Sequence, residues 1–131
     1  MLRYFIAFLD YVRQQGIYIY RGDPAAADFD QTDFTDDNAW HDLDLSNIAP
    51  EHAKAVDVSF IFINSASSKI GNFRRKGQTN IHNSAVIASN VPNLPQATDL
   101  TIALDPNRKI EYRLDAGGWS YIRFTVKGWW Y

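Results

Sequence analysis

The feature that most constrains this chain is its punctuation. Runs rich in β-branched and aromatic residues, at 17–20, 27–34, 40–45, 55–63, 70–75, 81–88, 99–104, 109–114 and 119–127, are separated by clusters of Gly, Pro, Asn, Asp and Ser. Short strands at this spacing are how an antiparallel sandwich or barrel reads in sequence. The expected fold is all-β: a single antiparallel β-sandwich, jelly-roll-like, with a short N-terminal arm. Within 55–63, Val56, Val58, Phe60 and Phe62 alternate with Asp57, Ser59, Ile61 and Ile63. The first set faces a core throughout, and the other face turns from polar to apolar partway along.

Turn chemistry marks the two C-terminal chain reversals. In Asp105-Pro106-Asn107-Arg108, Pro106 pre-sets φ and Asp105 bonds the backbone ahead of it. Gly117-Gly118 reach positive φ without a Cβ penalty. From these turns the last three strands are expected to form a meander. Gly128 is expected to ease a bulge or a close approach, after which alternation puts Trp129 and Tyr131 on one face and Trp130 on the other. The connection through Pro92 and Pro95 reads as extended and exposed.

The 131 residues suit one domain, divided at Gly16 into an arm (1–16) and the sandwich (17–131). The arm's apolar run from Tyr4 to Leu9 is too short to span a bilayer and is followed by Asp10 and Arg13 without a small-residue cleavage site. It reads as a segment that packs or docks on a partner. Tyr4, Phe8 and Tyr11 fall near i, i+4 and i+7, which fits a helix. Its aromatic content fits a strand equally, and both readings stay open.

Aromatic residues make up 15% of the chain, more than a minimal core needs, and these are the types enriched in interfaces. The net charge of −2 hides an asymmetry. From Gly22 to Ala53 there is no Lys or Arg, while Asp23, Asp28, Asp30, Asp33, Asp36, Asp37, Asp42, Asp44 and Glu51 fill the stretch; Lys69, Arg74, Arg75 and Lys76 form the basic counterpart. Opposite patches on one chain can set the register of a symmetric assembly. The basic hairpin around Phe73 could also bind nucleic acid, but the chain as a whole is acidic and the footprint small, so no nucleic-acid or membrane partner is expected.

Cysteine is absent, which excludes disulfides, thiolate metal sites and thiol nucleophiles. Arg21-Gly22-Asp23 matches a receptor-recognition tripeptide, but reads better as a strand end turning through Gly22. The acidic run lacks the glycine and distal Glu of an EF-hand, which leaves only a calcium site of another kind or a solvated face. His41, His52 and His82 stand apart from any nucleophile or metal motif, and His41 and Asp42 point to opposite faces of a strand. No enzyme activity, cofactor or metal is expected. Trp40, Trp119, Trp129 and Trp130 could stack on sugars if exposed, which makes a surface glycan the alternative partner.

The segments "RGDPAAADF", "WHDLDLSNIAPEHAKAV", "NFRRKGQTN", "DPNRKIEY" and "TVKGWW" together resemble a small β-sandwich domain of tailed-phage virion structural proteins, found in prophages as capsid decoration or tail-fibre-like components. The resemblance covers roughly 20–131. It implies a non-enzymatic subunit of the virion, assembled in the host cytoplasm as a homo-oligomer, trimer favoured, in contact with other capsid or tail proteins. The residues expected at such contacts are Leu2, Tyr4, Phe5, Phe8 and Tyr11 of the arm, Arg74, Arg75 and Lys76 of the basic hairpin, and Trp130.

Overall fold

The computed structural model describes the backbone of residues 2–14 and 16–131 and the side-chain surroundings of residues 2–9 and 16–131. Among these, α1 (Leu2–Gln14) precedes the strands β1 (Tyr18–Tyr20), β2 (Phe29–Asp30), β3 (His41–Asp44), β4 (Ala55–Asn64), β5 (Ile70–Arg75), β6 (Ala85–Ala88), β7 (Gln96–Ala103), β8 (Lys109–Leu114) and β9 (Trp119–Trp130). The arm is thus a helix, and every strand expected from the sequence forms. The 27–34 run shortens to the two residues of β2, because Asp30 caps a following 3₁₀ turn. Its carboxylate accepts from Thr32 N at 2.9 Å and its own N–H donates to Asp33 at 2.9 Å, which closes a capping box.

All strand pairing is antiparallel, in two sheets. One sheet runs β2-β9-β4-β7, with β1 beside β2 along the same edge of β9; the other runs β3-β8-β5-β6. From β2 to β5 the chain alternates between sheets, stays in one for β5–β6, and alternates again from β7 to β9. This is the two-Greek-key arrangement of a jelly roll.

The expected C-terminal meander is corrected by this topology. β7 and β9 flank β4 in one sheet, while β8 lies between β3 and β5 in the other. The turns do form: Arg108 N donates to Asp105 O at 2.9 Å and Lys109 N to the Asp105 carboxylate at 2.7 Å. Gly117 and Gly118 sit at φ 85° and 89°. A turn reverses the chain without deciding which sheet receives the next strand. That choice falls to the apolar faces, each of which must be buried against the opposite layer.

The core between the sheets is aromatic. Val56, Val58, Phe60 and Phe62 of β4 are all buried, as the alternation requires, facing Phe73, Ile110, Tyr112 and Leu114 of the other sheet. Phe60 packs edge-on against Phe73 at 5.2 Å between ring centres, and Phe34 against Tyr112 at 4.9 Å. Such pairs contribute about 0.5–1.5 kcal/mol each beyond their buried area.

Candidate interaction surface

In α1 the sequence "LRYFIAFLD" places large apolar side chains on most of the helix circumference. Leu2, Tyr4, Phe5, Ile6 and Phe8 are 50–80% exposed. Leu2, Tyr4, Phe5 and Phe8 line one apolar concavity on the helix itself. At 3.6 residues per turn, Tyr4, Phe8, Phe5, Leu9, Leu2 and Ile6 sweep an arc of roughly 200°, and only Arg3 and Ala7 of the first two turns lie outside it. Nothing of the described chain covers this surface. Tyr11 belongs to the same helix, but its side chain lies outside the described residues. No helix among the described residues is long and apolar enough to cross a membrane.

The helix is rooted at the edge of the β9 sheet. Gly16, at φ 67°, leads into β1, which pairs Tyr18 with Trp130, Ile19 with Trp129 and Tyr20 with Gly128. Tyr131 N donates to Ile17 O at 3.1 Å, and Arg21 N to Lys127 O at 2.8 Å. Both expectations for Gly128 hold. The β4–β9 register slips between Asp57, opposite Gly128, and Val58, opposite Val126. A Cβ on Gly128 would stand 2.4 Å from Ile19 O and from the Tyr18 hydroxyl. The ring of Tyr18 therefore crosses a surface that only glycine leaves open, and its hydroxyl donates to Asp57 Oδ2 at 3.0 Å. Burial and this carboxylate together raise the Tyr18 hydroxyl above its ordinary pKa.

Alternation divides the terminal rings as expected. Trp129 packs against the core, whereas Trp130 pairs with outward-facing Ala55 and lies 4.8 Å from the Tyr18 ring. Tyr20, beside it, is 68% exposed. Trp130 thus lies at the sheet edge where the chain passes from α1 into β1. Sequence reasoning missed β1 as part of this surface. The signal was present in "IYIY", a strand apolar on both faces although it lies at an edge.

Arg74, Arg75 and Lys76 lie in the other sheet and are engaged within the chain. The β3-β8-β5 register sets Asp42 beside Glu111 and Glu111 beside Arg74. Arg74 Nε donates to Glu111 Oε2 at 2.9 Å, and the guanidinium lies 3.7 Å from the Trp40 ring centre. Lys76 bonds Asp42, which raises the lysine pKa, and Arg75 Nε donates to Leu104 O at 3.1 Å. Arg74 is 8% exposed. Acidic stretch and basic hairpin do attract each other, but in the same molecule. Lys76 reaches Asp42 on β3 across β8, while Arg74 is held by Glu111 of β8, which lies outside the acidic stretch.

The remaining motifs are also absorbed by the fold. Arg21 grips the Asp28 carboxylate with both terminal nitrogens and donates to Val126 O, so the Arg21-Gly22-Asp23 tripeptide ties the β1 end to β9. Asp37 accepts from His41 at 2.8 Å, which lowers the Asp37 pKa. Trp119 Nε1 donates to Asp115 O at 2.8 Å. Among the described residues no group of three or more His, Cys, Asp or Glu could hold a metal ion. An open polar cleft of about 630 Å³ between Asp44, Glu51, His52, Arg108 and Lys109 lies at the end of the sandwich. Its Arg108 is spent on Ser46 O and Ala49 O. Compared with family models, curated proteins and solved structures, the chain has no match.

Proposed function

We propose that this protein is a non-enzymatic structural subunit of a tailed-phage virion, a capsid decoration or fibre-type component that acts through protein–protein contacts. The observation that carries the reading is α1: a jelly-roll core presents, at one sheet edge, a helix whose apolar arc has no cover among the described residues. An exposed apolar patch of this extent marks a binding surface. Jelly rolls recur in capsid proteins, which is an argument from architecture, and the sequence resemblance points the same way. Particles purified by density gradient after prophage induction test it: the chain co-migrates with heads or tails under the proposal and stays in the soluble fraction if it is wrong. An adjacent major capsid gene would indicate decoration, and an adjacent baseplate gene a fibre.

A second reading is recognition of a host-surface glycan. It rests on Tyr20 and Trp130 standing beside Asp57, Asp99 and Lys127 on the outer face of the β9 sheet. Saturable binding on a glycan array, abolished by Trp130→Ala, would favour it over the first.

A further inference from the structure

We propose that α1 is a homotypic assembly helix whose apolar arc is covered by the α1 helices of two further copies, in a parallel three-helix bundle. The proposal deepens the reading of α1 as a protein contact and is independent of the virion assignment.

Three observations lead to it. First, the spacing Leu2, Phe5, Leu9 is that of alternating a and d positions, and the sequence continues it at Val12. This 3-4-3 pattern is the repeat by which helices pack on copies of themselves. Second, the arc is about twice the ~100° stripe that a single packed neighbour covers. Ile6 and Phe8 widen the seam on both sides, so one partner helix leaves half the apolar surface wet, and two neighbours cover it. Cyclic three-fold symmetry gives every copy two equivalent neighbours and makes the helices parallel. Third, a helix of 13 residues is marginal in water by itself. The five exposed apolar residues present on the order of 600 Å² to be shared between two neighbours, less than the ~800 Å² that each partner brings to a stable interface, so the contact has to extend beyond the arc.

The charges select this occupant over a lipid surface. Helices that lie on membranes carry many Lys and Arg on the polar face, whereas α1 carries only Arg3 and Asp10 outside the arc, with Arg13 at its margin beside Ile6, and leads into an acidic domain. The open edge of β1 continues the contact, since Ile17, Tyr18, Ile19 and Tyr20 are exposed directly after the helix.

The test uses the full chain in sedimentation equilibrium, alongside Phe5→Asp within the arc and Ala7→Glu outside it. The account expects a trimer that Ala7→Glu retains and whose dissociation midpoint Phe5→Asp raises at least ~100-fold. The sandwich's unfolding midpoint, followed separately, stays unchanged in both variants. Because the chain has no cysteine, Phe5→Cys and Ala7→Cys give a second readout: oxidation cross-links the former and not the latter. A monomer at all concentrations, a dimer, or an oligomer indifferent to Phe5→Asp would each overturn the proposal. So would a monomer that floats with phosphatidylglycerol-containing vesicles in a Phe5-dependent way. A Phe5-dependent trimer that is missing from phage particles would leave this inference standing and remove the virion reading.

Discussion

Replacing Gly128 by Ala adds one methyl at the point where β1 crosses β9. Two of the three nearest atoms belong to the Tyr18 ring, which can turn aside, but the third is Ile19 O, backbone at 2.4 Å. Van der Waals contact for a Cβ begins a full ångström farther out, so β1 itself must shift. Overpacking of this kind costs about 1 kcal/mol at the low end. The upper end is set by letting the strand go. That sacrifices the Tyr18–Asp57 bond, the Tyr131 N–Ile17 O and Arg21 N–Lys127 O bonds, and the tilted Tyr18–Trp130 ring contact. At about 1 kcal/mol for each, and with the β1–β9 ladder bonds lost besides, detachment costs about 4 kcal/mol or somewhat more. For a domain of this size Tm should fall by about 4–15 °C in calorimetry. The location of the damage is the sharper readout. Hydrogen exchange should accelerate at Arg21 and Tyr131, whose amides bond across β1 and β9, while β4 keeps its protection. An unchanged Tm together with native exchange at Arg21 and Tyr131 would refute the reasoning.

The other predictions concern charge. Arg74→Ala strands Glu111 on a nearly covered strand and should cost about 3 kcal/mol in denaturant unfolding, with Arg74→Lys failing to rescue because it loses both the planar fork and the Trp40 stack. A loss below 1 kcal/mol would show that solvent already screens the pair. Tyr18 should report at alkaline pH. Its folded pKa is raised, so its contribution is complete below the ordinary tyrosine value of about 10 and is lost as pH rises through the higher folded value. Loss of β1 protection in that window, absent in Tyr18→Phe, checks this by exchange; β1 opening below pH 10 would contradict it.

How far the fold could be read from sequence differs by element, for physical reasons. β4 and β9 were legible because each alternates cleanly between a buried and an outward face along most of its length. The crossings at Asp105–Arg108 and Gly117–Gly118 were not, since a tight turn carries no information about sheet membership. The opposite charges at Asp42 and Lys76 were visible, but they lie far apart in sequence and only the β3-β8-β5 register brings them together. The arm was half legible. Phe, Tyr and Ile suit strands as well as helices, and it is the observed backbone of Leu2–Gln14 that decides for the helix. That β1 and Trp130 share its root depends on pairing between the two ends of the chain.

The central claim is that α1 works covered by copies of itself, and concentration-dependent hydrogen exchange tests it most directly. The account predicts that the amides of residues 6–14, which bond within the helix, are protected at high protein concentration and lose protection on dilution, while those of β4 and β9 exchange alike at both. Exchange of the α1 amides at the unstructured rate at every concentration would contradict it.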